Sequence, residues 1–164
     1  MRAVALIALL ASPAAADTDL LAKYRSGIDA CYQRASDAQA ILACDGELAS
    51  PCMEREPGGM STHGMIGCID AETRFWDEKL NAEYRVTMRE MRELDAVEAP
   101  GTASREDALR EAQRAWIPFR DANCAFDYIL WGPGSMRGIA GASCLSSMTA
   151  QRTVDLISIR ETFK

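Results

Sequence analysis

One predicted helical face combines three residue types that could carry chemistry. Trp116, Arg120 and Cys124 recur every four residues, so an indole, a guanidinium and a thiol share that face. A guanidinium on a buried face needs a carboxylate or carbonyl partner, because an unpaired buried charge is strongly unfavourable. Glu72, on the apolar stripe of an earlier helical segment, and Asp77 beside that stripe are the candidate partners.

Arg152 is a second arginine on an apolar helical face. Arg120 and Arg152 together could have either of two roles. Exposed, the two guanidinium groups would bind an anion. Turned inward, they would hold helices together through Glu72, Asp77 or loop carbonyls, and we favour this structural role.

Catalytic chemistry is weakly indicated. His63 is the single histidine, and general acid–base catalysis at neutral pH usually recruits histidine. The chain has no Gly-x-Ser-x-Gly or Cys-x-x-Cys motif, and among 24 acidic residues a close carboxylate pair is expected by chance. The sequence therefore predicts a protein that is not an enzyme and needs no cofactor, with a hydrolase as the weaker alternative.

The six cysteines indicate a disulfide framework. Their spacing contains no metal-type pair of close cysteines, which disfavours a zinc site. Sequence alone does not choose among the possible connectivities. We expect local pairing, because each local pair brackets a turn between predicted helices: Cys31–Cys44, Cys52–Cys68 and Cys124–Cys144.

The N-terminus has the pattern of a secretory signal peptide. Residues 1–16 run from a positive start through an apolar stretch to an Ala-x-Ala exit, so cleavage is expected after Ala16. No cysteine lies at that cut for lipid attachment, which favours a free periplasmic or secreted protein. Losing Arg2, the one charged residue of this segment, changes the formal net charge from −6 to −7. An acidic domain disfavours nucleic acid and anionic membranes and favours a cationic partner.

The elements that position these residues are predicted to be helices. No segment of the mature chain shows a clean two-residue alternation, whereas apolar residues recur at helical spacing. The prediction is a small all-α, disulfide-braced bundle of four to five helices, with a glycine-rich loop before the last one. The helices are expected at about 17–35, 37–48, 62–94, from 104 through Trp116, and from 146 to the C-terminus; the loops are expected at 54–61 and 131–143.

Four blocks of the chain, in order, resemble those of the LprI-like lysozyme-inhibitor family. They are Thr62-x-x-Met65-x-x-Cys68, Asp77-x-x-Leu80-Asn81-x-x-Tyr84, Gln113-Arg114-Ala115-Trp116-x-x-Phe119-Arg120-Asp121-Ala122-x-Cys124, and Cys144-x-x-x-x-Thr149-x-x-Arg152-x-x-x-Leu156. The resemblance covers about residues 60–160 of a single domain spanning 17–164, and residues 17–53 add an N-terminal helical hairpin.

The resemblance implies an exported helical domain that inhibits lysozyme, a cationic cell-wall hydrolase. We expect occlusion of the enzyme's cleft by an acidic protein, with contact residues in the least periodic stretch, which two cysteines flank. Those residues are Trp131, Gly132, Gly134, Ser135 and Arg137. The alternative is a periplasmic structural or stress protein that binds another envelope partner.

Overall fold

The computed structural model describes residues 13–162, with side chains from Leu20 onward; residues 1–12 of the predicted signal peptide lie outside this range. The described chain is all helical and contains no strand, which confirms the predicted fold class. Its helices are α1 Pro13–Arg34, α2 Ala38–Leu42, α3 Ala49–Arg55, α4 Thr62–Asp95, α5 Arg105–Leu130 and α6 Met136–Glu161.

The long helices α4 and α6 pack along each other and form the centre of the fold. The helices α1 to α3 cover one end of this pair, where Ile28, Leu48, Phe75 and Trp76 are fully buried. The helix α5 packs on the other side against both, around a smaller cluster that includes Leu80 and Leu156. The N-terminal hairpin thus shares its core with the rest of the chain.

Serine and aspartate caps explain where three helices begin. The side chains of Asp37, Ser61 and Ser104 each accept a hydrogen bond from a backbone N–H in the first turn of α2, α4 and α5. Such caps satisfy N–H groups that have no partner within the helix. The α5 helix then continues through Pro118.

The helix predicted over residues 37–48 is wrong in its extent, because the chain turns within it. Gly46 has a φ of +97°, a left-handed conformation that suits glycine, and it lies between α2 and α3. Pro51 does not end a helix but lies in the first turn of α3, where a missing N–H has no intrahelical partner to lose. With α3, which follows the predicted segment, residues 13–162 contain six helices.

The glycine-rich loop predicted over 131–143 is also shorter in the structure, because α6 already begins at Met136. Glycines in its first turns serve close packing. A Cβ on Gly138 would lie 2.8 Å from Ile66 Cδ1 of α4, and one on Gly141 would lie 3.4 Å from Tyr128 Cβ of α5. Glycine content indicates a loop, whereas in the structure these glycines lie in helix α6, close to side chains of α4 and α5.

Three disulfides connect neighbouring elements and are the three local pairs of the prediction. They join Cys31 to Cys44, Cys52 to Cys68 and Cys124 to Cys144, with Cα–Cα distances of 5.8, 5.7 and 5.4 Å. The first holds the end of α1 to the turn after α2, the second holds α3 to α4, and the third holds α5 to α6. Each bridge is expected to contribute about 2–4 kcal/mol to stability.

Among residues 13–162, no helix combines the length and apolar character that crossing a bilayer requires. Within the same range, no group of three or more histidine, cysteine, aspartate or glutamate side chains is arranged to hold a metal ion.

Candidate functional site

The Trp116 ring contacts both Arg120 and Arg152, the two arginines highlighted by the sequence analysis. The guanidinium carbons of Arg120 and Arg152 lie 5.0 and 5.9 Å from the centre of its ring. Arg152 also donates to the side-chain oxygen of Gln113 at 2.9 Å, and Arg120 pairs with the adjacent Asp121 at 2.8 Å. Arg152 thus connects α6 to α5, whereas the contacts of Arg120 lie within α5; burial lowers the pKa of Arg152.

Glu72 does not pair with either arginine, contrary to the prediction. Its carboxylate is buried and accepts four N–H groups, from the backbone of Gly46, Leu48 and Ala49 and from the Trp76 indole. The sequence shows an acid on an apolar stripe but does not show that the turn before α3 brings unpaired backbone donors to it. The carboxylate therefore anchors that turn to α4.

The surroundings of the Glu72 carboxyl change its pKa in opposite directions. Burial raises its pKa, the neighbouring Asp45 raises it further, and the backbone donors of Gly46 and Ala49 lower it. Burial outweighs the donors, so the pKa lies above its ordinary value.

Asp77 is likewise not a partner of the arginines. It is exposed on α4 and accepts a hydrogen bond from the amide of Asn81 at 3.0 Å. The predicted four-residue polar core is thus divided, with Arg120 and Arg152 on one side of the fold, Glu72 in the other cluster and Asp77 on the surface.

A partly buried ion pair that the sequence analysis missed joins the second half of α4 to the C-terminal end of α6. Arg160 pairs with Glu83 and donates to the hydroxyl of Thr87 at 2.9 Å. The Tyr32 hydroxyl donates to Glu83 at 3.2 Å, and burial raises the pKa of Tyr32. The spacing of Arg152, Leu156 and Arg160 on one helical face was the signal that could have revealed this pair.

The C-terminal end of α5 and the following turn form the most exposed apolar part of the described surface. We call residues 126–137 the α5 tip; every residue in it except Asp127 is exposed. Successive helical residues point about 100° apart, so a run of exposed positions means that the helix end is solvated on all sides. Its large apolar side chains, with exposed fractions from 39 to 68%, are Phe126, Tyr128, Ile129, Leu130, Trp131 and Met136.

An apolar groove runs beside the α5 tip. It has a volume of about 640 Å³ and lies between the start of α4, the second half of α5 and the first half of α6. Its walls include Ile66, Cys124, Tyr128, Ile129 and Leu145. Contiguous exposed apolar surface of this kind is typical of protein-binding sites, whereas the exposed Met60 and Val97 are isolated and need no such explanation.

The α5 tip is exposed but held in place. The Cys124–Cys144 bridge lies at its base, and the Arg137 guanidinium lies 5.0 Å from the centre of the Tyr128 ring. Gly132 has a φ of +60° and its N–H donates to the Ile129 carbonyl, which closes the turn. A rigid exposed segment loses little conformational entropy on binding.

The predicted contact residues lie together in this turn and in the start of α6. The sequence analysis did not name Phe126, Ile129 or Leu130 as contact residues. Five of the six residues from 126 to 131 are large and apolar, so they cover every side of the helix, and one packing face could not bury them all.

Comparison with known proteins assigns the family. The sequence model of the family described as lysozyme inhibitor LprI matches residues 52–156. The chain belongs to the lysozyme inhibitor LprI family. The match runs from α3 to α6 and includes the α5 tip. At the family level, this membership indicates a lysozyme inhibitor and not an enzyme.

The chain is also similar to the uncharacterized protein R02472 of Rhizobium meliloti (strain 1021), with 34% identity over 136 residues, covering 77% of this chain and 95% of that protein. No solved structure matches the chain. The three disulfides and the LprI family are consistent with an extracytoplasmic protein.

Proposed function

We propose that this LprI-family protein inhibits a lysozyme by docking its α5 tip against the enzyme's substrate cleft. The observation that carries the proposal is the run of exposed apolar side chains on a helix end that a disulfide holds in place. Family membership supplies the class of partner, and the α5 tip supplies a surface suited to binding it.

Side chains of the α5 tip have the chemistry for such an interface. Aromatic residues and arginine are enriched where proteins bind partners, and Trp131 and Phe126 are the exposed aromatic anchors. Most glycoside hydrolases have a pair of carboxylates in the cleft. Arg137, exposed beside these anchors, is placed to pair with such a carboxylate, so that the bound tip would both fill the cleft and neutralise its charge.

Charge and export fit the same role. The formal net charge, −6 for the full chain and −7 once the segment with Arg2 is removed, would attract a cationic enzyme from a distance, while the apolar tip would make the contact. Cleavage of the signal peptide over residues 1–16 would release the protein into the periplasm or the medium, where a wall hydrolase acts.

A lysis assay tests this function. The purified mature protein is added to a cell-wall suspension with lysozyme, and inhibition is measured against molar ratio. We expect Trp131→Ala to weaken inhibition by about 30-fold, since buried aromatic anchors contribute about 2 kcal/mol or more. The control is Val97→Ala, which removes an isolated apolar side chain that is 84% exposed. Complete lysis at large molar excess of the unmodified protein would contradict the proposal.

The second candidate, a periplasmic structural or stress protein with another envelope partner, rests on the apolar character of the same surface. An apolar tip does not by itself select a cationic enzyme. Capture from an exported fraction separates the two candidates. A lysozyme-type enzyme dominates under the first, and under the second a different protein is captured by the unmodified chain but not by the Trp131→Ala variant.

A further inference from the structure

One side of helix α5 faces water although its residues are apolar. Within Arg105–Leu130 only Leu109 and Cys124 are buried, because the helix packs on α4 and α6 through a narrow stripe. Away from that stripe, apolar residues recur at alternating steps of four and three, which places their side chains on one face of the helix. We call these seven residues, all exposed, the outer face of α5: Ala108, Ala112, Ala115, Phe119, Ala122, Phe126 and Ile129.

The composition of the outer face differs from that of a solvated helix surface. Charged residues make up 26% of the chain, and the exposed side of an amphipathic helix normally carries them. The outer face has none over a length of about 32 Å. Phe119, Phe126 and Ile129 are 60, 58 and 68% exposed, and no element within residues 13–162 packs on them from this side. An apolar stripe with this spacing is typical of a helix that packs against another helix.

The order of large and small side chains along the outer face fits a second copy of the same face. Its N-terminal half has only alanines, whereas the large side chains lie at the centre and in the C-terminal half. Two copies can pair antiparallel about a two-fold axis at Phe119. Ile129 of each copy then lies opposite Ala108 of the other, and large side chains fill the space that alanines leave. Parallel pairing would place alanine against alanine and leave gaps.

The area of the outer face is sufficient for a weak dimer. A phenylalanine side chain has about 150–250 Å² of surface, so Phe119 and Phe126 each leave on the order of 100 Å² in water. With Ile129 and the four alanines, the face presents roughly 500 Å² per copy, and pairing would bury about 1,000 Å² in total. This total is near the lower limit of specific protein interfaces.

We infer that this protein forms an antiparallel homodimer through the outer faces of two α5 helices. No charge lies on the outer face, so no ion has to be desolvated when the faces meet. The net charge of each copy, −7 once the segment with Arg2 is removed, opposes association from a distance. The dimer should therefore be weak, with a dissociation constant on the order of tens of micromolar, and should strengthen as salt screens the charge.

This dimer goes beyond lysozyme inhibition and does not depend on it. Phe126 and Ile129 belong both to the outer face and to the α5 tip, so dimerisation would cover part of the surface proposed to bind the enzyme. The two interactions should respond to salt in opposite directions. Screening weakens the attraction between an acidic protein and a cationic enzyme, whereas it reduces the repulsion between two acidic copies.

Analytical ultracentrifugation of the purified mature protein, without any lysozyme, tests the dimer. Sedimentation is measured between about 1 and 500 µM protein, because the dimer fraction must rise with concentration. The series is repeated at about 20 and 500 mM salt. The expected result is a reversible monomer–dimer equilibrium that shifts toward the dimer at the higher salt concentration.

Two substitutions in the same helix locate the contact. Phe119→Glu places two carboxylates together at the two-fold axis and removes both rings, so it should weaken dimerisation by about 100-fold or more. The matched control is Ile117→Glu. Ile117 is 45% exposed and lies about 160° around the helix from Phe119, so this change should leave dimerisation unaffected.

A pair of double variants tests the antiparallel orientation, in which Ala115 of one copy lies opposite Ala122 of the other. In Ala115→Glu/Ala122→Lys the introduced charges are then opposite in sign across the interface, and the dimer should persist. In Ala115→Glu/Ala122→Glu they are alike, and the dimer should dissociate. Parallel pairing would place like charges together in both variants.

Three results would overturn the inference. They are a monomer at the highest protein and salt concentrations, equal dimerisation of Phe119→Glu and Ile117→Glu, and equal dimerisation of the two double variants. If the variants do not fold, NMR on the unmodified protein decides. Amide shifts that depend on protein concentration and cluster at residues 108–129 support the outer face as the interface, and shifts confined to other elements contradict it.

Discussion

The regions around Trp76 and Trp116 stabilise their charged side chains in different ways. Trp76 is fully buried, packs edge-on against Phe75 with ring centres 5.3 Å apart, and donates its N–H to the buried Glu72. Trp116 is only partly buried and lies against two guanidinium groups at the edge of the bundle. In the first region backbone N–H groups stabilise the charge, and in the second an aromatic ring does.

The difference explains why one region is a core and the other presents a surface. The backbone donors that bind Glu72 connect the turn before α3 to α4. Arginine side chains keep part of their length in water while they cover a ring, so α5 can stay half exposed without an unpaired buried charge. The α5 tip remains available for a partner because its helix needs only one packed face.

The largest expected effect tests the buried carboxylate. Glu72→Gln should lower the free energy of unfolding by about 4 kcal/mol, because one amide oxygen replaces two carboxylate oxygens and about half of the N–H donors lose their acceptor. Urea unfolding followed by circular dichroism measures the change. Glu93→Gln, on the exposed face of the same helix, is the control. An equal loss in both variants would contradict the distinction between the two regions.

A smaller effect is expected at the second tryptophan. Arg152→Met keeps the length of the side chain and removes its charge, so it loses the contact with the Trp116 ring and the bond to Gln113. We expect a loss of about 1 kcal/mol, since the guanidinium also no longer has to be desolvated. The same unfolding experiment measures it, with the exposed Arg89→Met as control. A loss as large as that of Glu72→Gln would show that Arg152 is as indispensable as the buried carboxylate.

The smallest effect at neutral pH is expected where α4 meets α5, because Asp95 is only partly buried. Asp95 accepts from the backbone N–H groups of Arg105 and Glu106, and these bonds lower the pKa of Asp95 from 3.8 to about 2. A pKa that is lower in the folded state stabilises above pH 3.8, and this contribution disappears as the pH falls toward 2.

Thermal unfolding at several pH values measures the effect. The midpoint for Asp95→Asn should lie below that of the unmodified protein at pH 7, and the gap should close between about pH 4 and pH 2. Asp77→Asn, with its exposed carboxyl, should show no such convergence. Parallel profiles for Asp95→Asn and the unmodified protein would mean that the Asp95 carboxylate does not stabilise the start of α5.

Local signals predicted much of this fold. Helical spacing and cysteines on either side of turns are properties of neighbouring residues. Spacing predicted the all-α class and the start of α4, and the expectation of local pairing named the three disulfides that the structure contains. The turn at Gly46 and the early start of α6 were missed. Gly46 adopts a left-handed turn, and Gly138 and Gly141 lie within α6 close to side chains of α4 and α5.

The sequence by itself determined that this is a helical, disulfide-braced chain with the blocks of a lysozyme inhibitor. Periodicity, cysteine spacing and motif order are properties of the order of residues and need no tertiary contact. Only the tertiary structure decided which charges meet. Glu72 is bound to backbone donors and not to an arginine, and the apolar α5 tip is left in water, because contacts between distant elements depend on how the helices turn and pack. A residue's type shows what it can bind, and the fold selects the partner it reaches.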